Sequence, residues 1–282
     1  MAPLALLGRP QWSSGRKVAM LAGDDGGAAL LTTIDASMRL MGQPIPRDAE
    51  PLEFDAALCN ADVDIEAAVQ GLIGQEGKGS VALYGPPGVG KSALAGYLAE
   101  RLDLRAVRIA SSDLLSAFLG ESEQRVTRLF DAIDVKTEAI VLEEADELLA
   151  ARDGSRHSWE VRLANEVLIR MESFAGLIVL TTNALERIDS AALRRCALKV
   201  RLDTMRADQR VVMWQRRVGQ PPPGAINERL QKLSRLTAGD FAAVAAQAKI
   251  LGARWGPSEW LAALEKEVAL RPAVARPVGF NS

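Results

Sequence analysis

Residues 85–92 have the types and spacing needed to bind the phosphates of a nucleotide. They read GPPGVGKS, fit the pattern G-x-x-x-x-G-K-[ST], and follow the apolar run 81–84. Glycines let consecutive backbone N–H groups surround phosphate oxygens, and a helix that follows points its positive end at them. Lys91 would contact the β- and γ-phosphates, and Ser92 would offer its hydroxyl to Mg²⁺. We therefore expect ATP and Mg²⁺ as ligands, bound through Gly85, Pro86, Pro87, Gly88, Val89, Gly90, Lys91, Ser92 and Ala93.

Composition limits the kind of protein. The chain has 282 residues, typical of about two domains, and 48% are hydrophobic, enough for a sizeable core. A net charge of -2 gives no whole-chain reason to expect nucleic acid or an anionic membrane. Two cysteines, Cys59 and Cys196, and one histidine, His157, are too few for a zinc framework. No membrane span and no signal peptide are recognised, so the sequence predicts a cytoplasmic protein.

Strands and helices alternate around the phosphate loop. Apolar runs predict strands at 81–84, 106–109, 139–142 and 177–180, and alternation predicts an edge strand at 198–202. Helical periodicity separates them at 65–73, 121–133 and 162–171. This order is typical of an α/β fold, a parallel sheet sandwiched by helices.

Only helices are predicted after residue 205, at 207–218, 226–236, 240–251 and 258–270. The sequence therefore predicts three parts: a poorly determined arm or linker at 1–50, an α/β nucleotide-binding domain at 51–205, and a small all-helical domain at 206–282.

Polar side chains follow two of the predicted strands. Glu143 and Glu144 come directly after the run 139–142, and Asn183 follows Thr181 and Thr182 after the next run. Ligands of parallel α/β sheets bind at the carboxyl ends of the strands, which is where these residues fall.

These motifs together resemble the AAA+ ATPases, in particular the ring-forming branch that remodels proteins. The resemblance covers about residues 60–255 and is carried by 85–92, 140–147, 181–183, 188–195 and 237–241. It implies that Glu143 orients Mg²⁺ and that Glu144 polarises the attacking water. Asn183 would bridge that water and the γ-phosphate. The helical domain would be a lid, with Gly239 in the turn beside the adenine.

The resemblance also implies action between subunits. Arg194 and Arg195 match arginine fingers, which reach the γ-phosphate bound by a neighbouring subunit, and a guanidinium supplied in this way accelerates GTPases by roughly 10³–10⁵. The expected assembly is a homo-oligomeric ring, most simply a hexamer.

Two positions depart from the family pattern. The family has Asp where this chain has Glu143, and Phe where it has Cys196. The extra methylene moves the carboxylate outward by about 1.5 Å, so hydrolysis could be slowed, because Mg²⁺ demands strict geometry. Asp146 and Glu147 are the alternative acid pair, which we reject because Asp146 lies a helical turn beyond the strand end.

Residues 117–123 resemble the pore loop of protein-threading members, with Phe118, Leu119 and Gly120 as the gripping residues. Phe118 could instead be a core residue, and His157 is read as a solvated loop residue. The resemblance implies a protein substrate or adaptor. A nucleic-acid motor or loader is disfavoured, since this segment has Glu121 and Glu123 and no lysine. A weakly hydrolysing, ATP-gated scaffold is the third alternative, motivated by Glu143.

Overall fold

The structure, a computed structural model, describes residues 54–116, 122–151 and 158–271. In these ranges a six-stranded sheet has the order β1-β6-β2-β5-β4-β3. The strands are β1 Asn60–Ala61, β2 Gly79–Tyr84, β3 Arg105–Ala110, β4 Glu138–Glu143, β5 Leu177–Thr182 and β6 Leu198–Asp203. All pairings from β6 to β3 are parallel, and β1 is antiparallel to β6.

Helices separate the strands along the chain. The first part of the chain contains α1 Ile65–Gly74, α2 Lys91–Glu100, α3 Ser111–Ser116, α4 Ser122–Ala132, α5 Ala145–Leu148, α6 Ser158–Ser173 and α7 Ser190–Arg195. The later helices are α8 Ala207–Val218, α9 Gly224–Lys232, α10 Ala238–Ile250 and α11 Pro257–Leu270. The predicted fold class, a parallel α/β sheet followed by helices, is confirmed.

The centre of the sheet is buried on both faces. Every residue of β5 is buried, as are Ala139 to Leu142 of β4. This explains why these strands read as continuous apolar runs rather than as alternating ones. Around β3, β4 and β5 the main core includes Val126 and Phe130 of α4 and Leu163 and Val167 of α6.

The prediction that β6 is an edge strand is wrong. Burial does alternate along β6, with Lys199 and Arg201 exposed, but the short β1 pairs with it at Leu202 and Asp203. Alternation shows that one face of a strand is exposed to water. It does not show whether both edges of the strand are hydrogen-bonded to neighbouring strands. A two-residue strand such as β1 has no periodicity from which it could be predicted.

The chain separates into two compact units. The first contains Val63–Gly85 and Lys91–Arg201, and the second contains Asp55–Asp62, Pro86–Gly90 and the chain from Leu202 onward. The core of the second unit is formed by helices α8 to α11 around Trp214 and Phe241, which are both fully buried. No helix in the described ranges is long and apolar enough to cross a bilayer.

The segment at 55–62 packs on α8 within the second unit. The Gln209 amide donates to the carbonyls of Ala57 and Cys59 at 3.0 and 3.1 Å, and Arg216 pairs with Asp55 at 2.5 Å. The sequence analysis grouped this segment with the α/β domain, because its residues are adjacent to α1 along the chain and carry no pattern of their own.

Candidate nucleotide-binding site

The phosphate loop leaves the end of β2 and enters α2. Gly85, Gly88 and Gly90 have φ values of 142°, 82° and 99°, which side chains with a Cβ rarely adopt. Lys91 begins α2, and its Nζ donates to the carbonyl of Gly85 at 2.8 Å, so the lysine folds back over the start of the loop. The backbone is therefore shaped to present N–H groups to an anion at a helix N-terminus.

Lys91 is a largely buried cation. Burial lowers the pKa of its ammonium to about 8, and the nearby carboxylate of Asp146 partly opposes that shift. A buried ammonium with a lowered pKa is one whose charge is under-compensated in the free protein. A polyphosphate placed in the loop would add negative charge that favours the charged form of Lys91, so the residues present fit ATP.

The acids at the end of β4 occupy different environments. Glu143 is the last residue of β4, one position beyond the predicted strand end, and it is partly buried. Glu144 is exposed, has φ 56° and ψ 43°, and makes no side-chain cap hydrogen bond to α5. A glutamate in the left-handed region is strained, and such strain clusters at functional sites. The bend turns the Glu144 backbone away from the strand direction.

Asp146 has a different partner. It lies on α5 and accepts a hydrogen bond from Thr182 Oγ1 at 2.6 Å, while Thr182 Oγ1 accepts from the N–H of Ala184 at 2.9 Å. Asp146 therefore fixes the chain where it leaves β5. Asp146 stays outside the pair Glu143 and Glu144 because it lies on α5, beyond the end of β4.

Asn183 follows β5 and is exposed. Because β5 pairs with β2 through Thr182 and Tyr84, Asn183 and Gly85 leave the sheet side by side. The β4–β5 pairing places the end of β4 at the same edge. The structure thus brings together the loop start, Asn183 and the two glutamates at the carboxyl end of the sheet.

The sequence analysis missed one member of this group, Arg108 of β3. Its Nη1 donates to Glu143 Oε1 at 3.3 Å and its Nη2 donates to the carbonyl of Ser92 at 3.1 Å. The available signal was an arginine inside a predicted buried strand. Its partners could not be identified without the strand register, which pairs Ala110 with Glu143.

The two candidate finger arginines differ in their contacts. Both lie at the end of α7, whose first turn is capped by Asp189, the acceptor for the N–H of Ala191 at 2.8 Å. Arg195 donates to the carbonyl of Ala191 at 2.9 Å and pairs with Glu172 at 3.0 Å. The side chain of Arg194 is exposed and has no hydrogen bond or ion pair with any residue that the structure describes. Arg194 is thus available to another molecule.

Gly239 contacts the phosphate loop within the second unit. Its N–H donates to the carbonyl of Gly88 at 2.9 Å, next to the cap that Thr237 forms on α10. A Cβ at position 239 would lie 2.8 Å from the Cα of Gly88, which is shorter than real Cβ contacts. Position 239 therefore requires glycine for this backbone approach.

Phe118, Leu119, Gly120 and His157 lie outside the described residues. Within the described ranges, no group of three or more His, Cys, Asp or Glu residues could hold a metal ion. The donors at hand, Ser92 and Glu143, fit an ion that arrives with the nucleotide and is held largely by its phosphates.

Comparisons with known proteins agree with this geometry. Residues 81–204 match the model of the ATPase family associated with various cellular activities (AAA). Vacuolar protein sorting-associated protein 4 of Dictyostelium discoideum is 31% identical over 165 residues, which are 56% of this chain and 37% of that protein. Spastin of Drosophila erecta is 29% identical over 165 residues, 56% of this chain and 22% of that protein.

The human vacuolar protein sorting-associated protein 4A is 32% identical over 166 residues, 56% of this chain and 38% of its own. The chain thus spans well under half the length of these relatives. The crystal structure of the FIGL-1 AAA domain is similar in fold, with a TM-score of 0.52 at 23% identity, covering 69% of this chain and 72% of that one. The family model and these relatives together show that residues 81–204 of this chain form a domain of the AAA ATPase family.

Proposed function

We propose that this chain binds ATP with Mg²⁺, hydrolyses it in a ring of identical subunits, and uses the turnover to remodel a protein partner. The observation that carries the proposal is the glycine loop closed by the buried Lys91, at the sheet edge where Glu144 and Asn183 emerge. The loop that binds phosphate and the exposed groups that can act on water lie together at the carboxyl end of the sheet. Phosphoryl transfer to water requires this arrangement.

Each residue has a role that its environment permits. Lys91 binds the β- and γ-phosphates, because their negative charge favours the charged ammonium that burial disfavours. Mg²⁺, when bound, supplies positive charge that offsets the charge developing on the phosphates. Ser92 and Glu143 would hold it, the serine by its hydroxyl and the glutamate on the side of β4.

Exposed side chains would act on the reacting water. Glu144 is exposed and accepts the water's proton, while Asn183 orients that water against the γ-phosphate. Arg194 extends from α7 without a partner among the described residues, so it is the better candidate for a finger that acts on a neighbour's phosphate. Arg195 would hold α7 in place through Glu172.

A second candidate function is an ATP-gated scaffold that hydrolyses slowly. The engagement of Glu143 by Arg108 favours it, because a carboxylate paired with a guanidinium is less available to Mg²⁺. The turnover number of the purified native chain separates the two functions. Stimulation by an unfolded protein rather than by DNA supports the remodeller over a nucleic-acid motor.

Substitution of Lys91 tests the binding site. Lys91→Ala should weaken ATP binding by roughly 100-fold or more, because the phosphates lose their direct cation. Calorimetric titration with ATP gives the affinity, and circular dichroism shows that the variant is folded. Lys78→Ala is the control, since Lys78 is exposed, pairs with Glu76, and should bind ATP as the native chain does. Unchanged affinity in folded Lys91→Ala contradicts the site.

A further inference from the structure

Arg108 is a charged residue in the buried part of β3, between the apolar residues Val107 and Ile109. Its side chain is 8% exposed, and its neighbours Val107 and Ile109 point to the other face of β3. On its own face α2 makes room for the guanidinium at Gly96, where a Cβ would lie 3.0 Å from Arg108 Nη2. A buried guanidinium needs a partner of opposite charge.

That partner is Glu143. Because β3 and β4 are parallel, with Arg108 opposite Val141 and Ala110 opposite Glu143, the two side chains are diagonal neighbours on one face. Arg108 Nη1 lies 3.3 Å from Glu143 Oε1, and the glutamate side chain is 21% exposed. The same guanidinium donates to the carbonyl of Ser92, in the first turn of α2. One side chain thereby joins the end of β4 to the helix that follows the phosphate loop.

The length of the acid matters for this contact. An aspartate at position 143 would withdraw the carboxylate by about 1.5 Å, the length of one carbon–carbon bond. The contact to Arg108 is already 3.3 Å with glutamate, so an aspartate in the same backbone would lose it. Glutamate is therefore the acid that can satisfy the buried Arg108.

We propose that Arg108 is a positioning residue that holds the Glu143 carboxylate and balances its charge beside the phosphate loop. The proposal deepens the proposed function and rests on it for the ligand. With part of its charge balanced by Arg108, Glu143 repels metal-free ATP less, and attracts the metal ion less strongly, than an unpaired carboxylate would. Arg108 should therefore limit how strongly the ATP affinity of the native chain depends on Mg²⁺.

Calorimetric titration with ATP, once in EDTA and once with excess Mg²⁺, measures this dependence. The quantity compared is the ATP affinity with Mg²⁺ divided by the ATP affinity in EDTA. Arg108→Met leaves an unbalanced carboxylate, so the ratio should rise by about fivefold or more. Glu143→Gln leaves an unbalanced guanidinium, so the ratio should fall by a similar factor. In the double variant both charges are absent, and the ratio should return to within about twofold of the native value.

Arg105→Met is the matched control. Arg105 pairs with Glu138 at 2.6 Å across the same two strands, but at their opposite end, so the ratio should not change. Equal weakening of ATP binding by Arg108→Met with and without Mg²⁺ would show that Arg108 does not act through the charge of Glu143 and would overturn the proposal. Mn²⁺ titration followed by electron paramagnetic resonance, in the presence of ATP, gives the metal affinity of the same variants directly.

The melting temperatures of these proteins guard against variants that fail to fold. The double variant should melt above both single variants, because each single change leaves one buried charge unpaired. A double variant no more stable than the singles contradicts the pair. Failure of the native chain to bind ATP would instead contradict the proposed function, and the melting temperatures would still decide whether Arg108 and Glu143 act together.

Discussion

The burial of Lys91 predicts how the stability of the protein changes with pH. Burial lowers the pKa of its ammonium from 10.5 to about 8 in the folded protein. Between these values the unfolded chain binds more protons than the folded one, so the free protein should gain stability as the pH rises from about 8 to 10.5. ATP would reverse the shift, because its phosphates favour the charged lysine.

ATP affinity should therefore fall as the pH rises. Above the pKa of about 8 the free protein has lost the Lys91 proton, and binding must take it up again, so affinity should drop by nearly tenfold per pH unit. Calorimetry from about pH 7.5 to about pH 9.5, in buffers of different ionisation enthalpy, measures both the affinity and the proton uptake. Lys91→Arg stays charged throughout and should show no such drop. A flat native profile contradicts the assigned environment.

At the residue scale, the sequence could nominate site residues where one stretch of chain contains them. Lys91 and Ser92 follow the glycines of the loop, and Glu143 and Asn183 follow strand runs. The roles predicted for them stay predictions. Arg108 could not be found in this way, because its meaning depends on the register of β3 against β4 and on the space at Gly96. A sequence pattern contains neither quantity.

At the scale of elements, the start of α10 holds the phosphate loop by a backbone contact. The N–H of Gly239 bonds to Gly88, and no side chain is involved. Gly239→Ala would place a Cβ 2.8 Å from the Cα of Gly88. Because backbone cannot rotate away as a long side chain can, the loop must shift and ATP affinity should fall by roughly tenfold or more, as measured by calorimetry.

Gly224→Ala is the control for that substitution. Gly224 begins α9, has nothing within 4 Å of an added Cβ, and has no positive φ. Alanine there should leave ATP affinity unchanged and leave the melting temperature equal or slightly raised, since alanine favours helix. If Gly239→Ala binds ATP as tightly as Gly224→Ala does, the contact between Gly239 and Gly88 does not shape the loop.

The positions of helices and strands could be predicted where a clear pattern of apolar residues extends over several positions. The helix predicted at 207–218 has those bounds in α8, and the predicted strands differ by one to two residues at their ends. The exceptions are short or ambiguous. The two residues of β1 are too few to show a periodic pattern. The alternation along β6 indicates that one face of the strand is exposed, and it does not indicate that one edge lacks a hydrogen-bonded neighbour. The packing of 55–62 on α8 rests on single side-chain contacts, such as those of the Gln209 amide with backbone carbonyls, which leave no pattern in the sequence.

At the scale of the whole molecule, the proposed ring predicts that an α7 arginine acts on the nucleotide of a neighbouring subunit. Arg195 is engaged by Glu172 of its own chain, whereas Arg194 has no partner among the described residues. If Arg194 completes the site of a neighbouring subunit, its removal should slow ATP hydrolysis in that neighbour. Arg194→Ala should then bind ATP normally and lose turnover. Glu144→Gln should also bind ATP normally, but its turnover should fall by roughly 10²-fold, because glutamine cannot accept the proton of the attacking water.

A mixture of these two inactive variants should recover activity. A subunit with Arg194→Ala keeps its own Glu144, and a neighbour with Glu144→Gln still supplies an arginine. In a random equal mixture about half of the subunits keep the glutamate and about half of those meet an intact arginine, so about a quarter of the native rate should return. Phosphate release from the mixture measures this, with fluorescence transfer between labelled subunits to show exchange. Exchanging subunits with no gain in rate would contradict a finger acting between subunits.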